Sequence, residues 1–264
     1  MNYNSILLRY GEIFLKGKNK GKFEQKLISN IERIASIKVC KLRSRLVMDY
    51  FENHNDLKRV FGLVSYSPAL KINTDIEEIK KNALELLLAK GGTFKIKTKR
   101  SDKRFPIKSP DFDVLVGKHI EENSELKFNY TPESTLNIEI NQNGTFLFLE
   151  VITCFGGLPT GVEGTVNVLI ENEASLLAGI LFMKRGTNIL PFAYEDKDIT
   201  LLQKYSPIDL RLEIETDFEN LKQECLVVGD NFDNLKKYDT ELLTFRPLIA
   251  YSDEQIKTEL KNFS

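Results

Sequence analysis

From Phe94 to Arg100 the chain reads Phe-Lys-Ile-Lys-Thr-Lys-Arg, with a lysine at every second position. Side chains alternate across a β-strand, so Phe94 and Ile96 point one way while Lys95, Lys97 and Lys99 point the other. One face therefore packs and the other is a ladder of positive charge. Like charges on one face repel each other unless solvent or a polyanion answers them. Two readings stand side by side: lysines guarding a solvated sheet edge, or a surface for phosphates. The turn-prone segment Ser101–Pro106 extends the charge through Lys103 and Arg104 and sets Phe105 beside an arginine, a pairing suited to phosphates and exposed bases.

The formal charge of −1 hides a strong asymmetry. Residues 1–110 hold 24 Lys and Arg against 11 Asp and Glu, whereas residues 111–264 hold 13 against 27. A basic half of this kind is the electrostatic footprint of a nucleic-acid binder, and the acidic half argues against the same surface continuing to the C-terminus. No apolar run approaches the length that spans a bilayer, and the N-terminus lacks a signal-peptide pattern, so a cytoplasmic protein with no membrane partner is expected. Cys40, Cys154 and Cys225 form no CxxC, and His54 and His119 are the only histidines, so no metal site is expected. The cysteines read as reduced packing residues.

Along the chain, Ser5–Arg9 reads as a strand, followed by a glycine-punctuated loop with Lys16, Lys18, Lys20 and Lys22. From Lys22 onward Phe23, Leu27, Ile31 and Ile34 recur at helical spacing, so the loop feeds a helix whose N-terminal amides could share a phosphate with the lysines. Residues 38–51 read as a strand pair with Arg43 and Arg45 exposed, and 56–60 as a short helix. This order suggests a ferredoxin-like module over residues 1–60. A second module starts at Phe61, with Asp75 capping a helix that runs to Ala89 with Ile76, Ile79, Ala83, Leu86 and Leu87 inward. Another helix begins at Ser109, and Leu136–Ile140 and Thr145–Ile152 form a hairpin across Asn141–Gly144. Gly156–Gly164 has the composition of a linker or of a close backbone approach. From Thr165, strand candidates Val166–Ile170 and Cys225–Gly229 alternate with a helix over Ser175–Lys184, which points to a small parallel α/β sheet.

Several ordered segments resemble the tRNA 4-thiouridine synthases of the ThiI family. RYGEIFLKGKNKGKFEQKLISNI is similar to the start of that family's ferredoxin-like domain. FGLVSYSPAL, TFKIKTKRSDKRFPIKSP and EVITCFGGLPTGVEGTV resemble its THUMP domain and the exit from it, and LFMKRG, VVGDNF and FRPLIAYSDEQI resemble landmarks of its ATP-pyrophosphatase domain. The resemblance implies a mixed α+β and α/β chain: a ferredoxin-like domain over 1–60, a THUMP domain over 61–165 and a reduced, Rossmann-like PP-loop-type domain over 166–264. It also implies that the first two domains bind tRNA. Lys16, Lys18, Lys20 and Lys22 of the loop and Lys97, Lys99, Arg100, Lys103 and Arg104 of the strand and turn are the candidate contacts.

The third domain departs from the family pattern. Where the family carries an SGGxDS loop that cradles the pyrophosphate of ATP, this chain has Ile170-Glu171-Asn172-Glu173-Ala174-Ser175. Both glycines are replaced, two carboxylates enter, and the aspartate position is Ala174. Tyr238 stands where a glutamine is expected, and Asn188–Glu224 has no cysteine for sulfur transfer. Val168, Leu169 and Gly229 then remain as vestigial nucleotide-site positions, Cys225 is a packing residue, and Arg246–Ile249 is a corner of the sheet. The expectation is a tRNA-binding pseudoenzyme without catalytic residues or cofactor, acting as a homodimer and as an adaptor for a separate tRNA-modifying enzyme. The alternative is a divergent tRNA sulfurtransferase that uses ATP to adenylate tRNA on the way to 4-thiouridine. A third reading gives the basic half a protein partner.

Overall fold

The computed structural model describes residues 3–43 and 45–264. In chain order its elements are β1 (Ser5–Tyr10), α1 (Lys20–Ala35), β2 (Val39–Lys41), β3 (Leu46–Asp49), β4 (Leu63–Ile72), α2 (Ile76–Leu88), β5 (Thr93–Arg100), α3 (Ser109–Glu122), β6 (Lys127–Phe128), β7 (Ser134–Asn141), β8 (Gly144–Phe148) and β9 (Ile152–Thr153). They continue with β10 (Thr165–Leu169), α4 (Glu173–Lys184), β11 (Asn188–Ala193), α5 (Thr200–Tyr205), β12 (Glu213–Ile214), β13 (Cys225–Val227), β14 (Leu243–Phe245) and α6 (Asp253–Phe263). Short 3-10 segments cover Glu12–Asn19 and His54–Arg59. The chain forms two compact units whose segments interleave. Unit one is the chain up to Arg9 with Lys38–His54 and Ser65–Thr153, and unit two is Tyr10–Ile37 with Asn55–Val64 and Cys154–Ser264.

Unit one is built on a nine-stranded sheet ordered β2-β3-β1-β4-β8-β7-β5-β6, with β9 paired to β4. Its hairpins are antiparallel, whereas β5 runs parallel to both β7 and β6. On one face α2 and α3 bury Ile79, Ala83, Leu87, Phe112, Val116 and Ile120 against Phe94, Ile96, Leu136 and Ile138. Each such fully buried large side chain contributes about 1.5–3 kcal/mol of transfer free energy, so the alternation of β5 selects which face the helices cover. Asp75 caps α2 as expected, its carboxylate accepting from the Glu78 amide at 2.9 Å. On the other face Leu7, Val47, Ala69, Phe146 and Phe148 form a smaller core.

That second core requires the sheet to curl. In a flat sheet β3 and β7, four spacings apart in the strand order, would lie about 19 Å from each other, yet Arg45, just before β3, reaches Glu139 of β7 with its Nε 3.2 Å from the carboxylate. The hairpin over Asn141–Gly144 forms as expected. The expected single strand Thr145–Ile152 does not, because the chain breaks between β8 and β9. Leu147 pairs with Leu70 but Ile152 with Tyr66, so the β8–β9 run holds one residue more than the stretch of β4 it pairs with, the geometry of a bulge.

Unit two contains a five-stranded sheet, order β12-β11-β10-β13-β14, parallel throughout. Val166, Val168, Ile170, Leu177, Ile180, Met183 and Phe263 build one core, and Leu169, Phe192, Leu226 and Val228 build a second on the opposite face. Burial on both sides is what the continuous apolar runs of a parallel sheet demand. The glycine-rich segment is a close approach and not a linker: Gly157 has φ +79°, and a Cβ there would lie 2.4 Å from the Lys184 carbonyl oxygen. Residues 12–19, expected as a loop, are a 3-10 segment broken at Gly17, and α1 begins at Lys20 instead of Lys22. Among the described residues no helix is long and apolar enough to cross a membrane.

Candidate nucleic-acid interface

The lysine row of β5 lies where the alternation predicts. Phe94, Ile96 and Thr98 are buried; Lys97 and Lys99 are exposed and Lys95 is half-buried. Register places Lys95, Lys97 and Lys99 beside Thr135, Asn137 and Glu139 of β7, and Glu139 beside Phe146 of β8, which in turn pairs with Lys71 of β4. Lys71 and Arg9 therefore share the face of the lysines, with Arg9 4.8 Å above the Phe148 ring. Neither was visible as a site residue in the sequence, because only the strand order brings β1 and β4 to this face.

The edge reading of the lysines also contains part of the answer. Strand β6 lies outside β5 but pairs only Thr93 and Phe94, so from Lys95 onward the outer flank of β5 has no strand partner among the described residues. The Thr98 amide there donates instead to Asp113 of α3 at 2.8 Å. Burial pushes the Asp113 carboxyl above its usual range, and the bond from Thr98 pulls against that. A side chain thus blunts the edge, which discourages another strand from adding to it.

The turn after β5 corrects one expectation. Phe105 is 6% exposed and packs edge-on against Phe112, 5.0 Å between centroids, so it is a core residue and is not available to stack on a base. Arg100 donates to the carbonyls of Phe105 and Ile107 at 2.6 and 3.1 Å and braces the turn. Arg104 is exposed and pairs with Asp102 at 2.7 Å; the bonds from Arg104 hold the Asp102 carboxyl down at about 2. Lys103 remains exposed.

In unit two the four loop lysines separate into two kinds. Lys16 sits 4.6 Å above the Phe23 ring and 3.4 Å from Glu163, and Lys20 sits 4.6 Å above Phe14 and 3.4 Å from Glu24. These two fasten the 3-10 segment to its surroundings. Lys18 and Lys22 are exposed, and beside them Leu15 is 86% exposed.

At the carboxyl end of the parallel sheet, the position where open α/β sheets take ligands, the loop 170–175 leads into α4. Asn172 caps the helix, accepting from the Ser175 amide at 3.2 Å, and the Glu171 amide donates to Ser175 Oγ at 3.2 Å. Glu171 accepts from Lys236 Nζ at 2.8 Å. The Tyr238 hydroxyl lies 2.7 Å from Asp230, to which it donates, and 3.3 Å from Glu171. Burial and these carboxylates raise the Tyr238 pKa, so the phenol stays protonated. Asp230 is 3% exposed and also receives the Lys236 amide at 3.1 Å and faces Arg246 at 3.5 Å. Val168 and Leu169 are fully buried, one in each core. A Cβ on Gly229 would lie 2.5 Å from the Ser175 amide nitrogen, so Gly229 packs directly under the start of α4. Cys225 is half-buried against the main core, as expected, whereas Cys40 is exposed on the edge strand β2 and is not a packing residue. Among the described residues no cluster of His, Cys, Asp and Glu could hold a metal ion.

Comparison with known proteins agrees with this architecture. Residues 5–67 match the ThiI ferredoxin-like domain and residues 73–150 the THUMP domain. A probable tRNA sulfurtransferase of Brevibacillus brevis is 38% identical over 207 residues, covering 72% of this chain and 51% of the relative. One of Listeria monocytogenes is 34% identical over 226 residues, covering 80% and 56%. The chain spans about half the length of the curated relatives it matches. Among solved structures, a Pyrococcus horikoshii Ot3 protein is 26% identical with a TM-score of 0.85, covering 98% of this chain and 99% of that one. A 4-thiouridine synthetase solved in complex with RNA and ATP is 24% identical with a TM-score of 0.85, covering 100% and 85%, a likeness of fold.

Proposed function

Since the chain belongs, through its ThiI ferredoxin-like and THUMP domains, to the ThiI family, we propose that it binds tRNA and serves tRNA modification without catalysing the adenylation step itself. The observation that carries the reading is the exposed row of Lys97 and Lys99 on a sheet face that also holds Lys71 and Arg9. Exposed cations in a row, with no ion pair among the described residues, match the spaced charges of a phosphate backbone, and each contact releases counterions. Lys18, Lys22 and Lys103 extend the contact set, while Lys16, Lys20, Arg100 and Arg104 act through the segments they brace. The domain limits of 1–60, 61–165 and 166–264 belong to this proposal.

The loop 170–175 does not fit a polyphosphate. Such a ligand needs free backbone amides and glycine-like openness, and here the amides of Glu171 and Ser175 are already bonded to side chains while the Glu171 carboxylate faces the same space. Two carboxylates, Glu171 and Asp230, would repel it. A second reading, that the chain is itself a divergent tRNA sulfurtransferase using ATP, is favoured by the names of its relatives.

Titration with total tRNA and with ATP at two salt concentrations separates the two. Salt-dependent tRNA binding with no ATP binding up to millimolar concentration is the expected result, with light scattering reporting the expected homodimer. ATP binding, or adenylation of tRNA by the chain alone, would replace the adaptor reading with the enzyme reading.

A further inference from the structure

The curl of unit one brings together two turns that are far apart in sequence. Leu42, Arg43 and Arg45, from the chain between β2 and β3, and Lys99, Arg100 and Ser101 at the end of β5 line a cleft of about 210 Å³. Its lining includes Arg43, Arg45, Lys99 and Arg100 with one carboxylate, Glu139, and the amide residues Asn141 and Asn143. Arg45 and Arg100 are committed, the first to Glu139 and the second to the turn carbonyls. Arg43, from the chain between β2 and β3, and Lys99 of β5 are exposed, and both line the cleft. Behind Glu139, Arg9 approaches its carboxylate at 3.5 Å, and Arg9 Nη2 is buried without a hydrogen bond among the described residues. One carboxylate thus answers two arginines and leaves the cleft with surplus positive charge.

We infer that this cleft seats a single phosphate group between Arg43 and Lys99, with Glu139 acting as a positioning residue that holds Arg45 in the wall. The seat deepens the RNA-binding reading and rests on it for the source of the phosphate, which is a backbone diester of bound RNA or the phosphate of a free mononucleotide. A convergence of guanidinium, ammonium and amide donors in a partly enclosed space suits a phosphate, because a lowered dielectric strengthens each contact. Arg43 and Arg45 come from the first hairpin and Lys99 and Arg100 from the end of β5, and Arg43 differs from Arg45 in having no ion pair with Glu139 among the described residues.

The test uses the whole chain with Arg43→Ala, Lys99→Ala and the double variant, alongside Lys97→Ala on the same strand outside the cleft. Arg43 and Lys99 are exposed, so the variants should unfold at the wild-type temperature. Each single change is expected to weaken tRNA binding about threefold to tenfold, and the double to lower the log–log salt slope by about 0.9, the value of one phosphate. A fall of twice that would mean two separate contacts, and an unchanged slope would mean none; either overturns the single seat. In parallel, inorganic phosphate and AMP are titrated while the amide resonances of Ser101 and Asn141–Asn143 are followed. Shifts are expected in the wild type and absent in the double variant, and no shift in the wild type overturns the seat. If Lys97→Ala weakens tRNA binding while Arg43→Ala and the phosphate titration do nothing, the seat is wrong and RNA binding stands. If tRNA does not bind at all, the RNA reading fails and the phosphate titration alone decides the seat.

Discussion

The curled sheet of unit one and the carboxyl edge of the parallel sheet in unit two handle charge in opposite ways. On the first, Lys97 and Lys99 stand exposed, and the only carboxylate paired beside the row in β7, Glu139, is taken by Arg9 and Arg45. On the second, Glu171, Asp230, Lys236, Tyr238 and Arg246 answer one another, and the helix start is closed by Asn172 and Ser175. Charge left unanswered costs free energy that a ligand can recover. A network closed on itself has little to gain from one, because a ligand must first displace bonds already made. The contrast separates a sheet face with exposed cations from a sheet end whose charged side chains are paired with one another.

The largest effect should come from breaking the open side. Reversing Lys97→Glu and Lys99→Glu together is expected to weaken tRNA binding by about 100-fold near 0.1 M salt, with a shallower salt dependence. Filter binding across a salt series reads both, and unit two should unfold as before. An unchanged affinity would mean that the row is only a solvated edge.

On the closed side, Tyr238→Phe removes the donor that Asp230 receives at 2.7 Å. Leaving a buried carboxylate short of a partner costs about 1–3 kcal/mol, to be seen in chemical denaturation, and tRNA affinity should not move. If stability is unchanged, the network is not the closure described here.

The smallest effect sharpens the boundary of the open side. Asp113→Ala should cost about 1–2 kcal/mol by orphaning the Thr98 amide, whereas Asp113→Asn keeps an acceptor and should be nearly neutral. Because burial raises the Asp113 pKa in the fold, the folded state binds that proton more tightly than the unfolded chain. Stability should therefore rise as pH falls through the folded pKa toward the ordinary carboxylate value, and the Asn variant should lose that rise. Denaturation midpoints between pH 7 and 4 would reveal an opposite trend.

Much of this was legible in local pattern. Period-two alternation located β5 and its two faces, helical spacing located α1 and α2, the Asn-Gly turn located the β7–β8 hairpin, and apolar runs marked β10 and β13 of the parallel sheet. These are properties of a few consecutive residues, and neighbours in sequence share one local geometry. Less was legible where partners lie far apart. Phe105 looked like an exposed aromatic beside arginines, and only packing against Phe112 made it core. Lys16 and Lys20 looked like Lys18 and Lys22, and only Phe23, Glu163, Phe14 and Glu24 set them apart.

The sequence by itself determined which strand is basic on one face, that the first 110 residues carry the excess positive charge, and that the loop before α4 bears carboxylates. Composition and period are written in the chain, and no folding is needed to read them. Tertiary structure decided which of those charges remain unanswered. It curled one sheet until Arg45 met Glu139, ninety-four residues away, and it laid Lys236 and Tyr238 over Glu171. Whether a cation is free depends on what lies within a few ångströms of it, and strand order sets that distance.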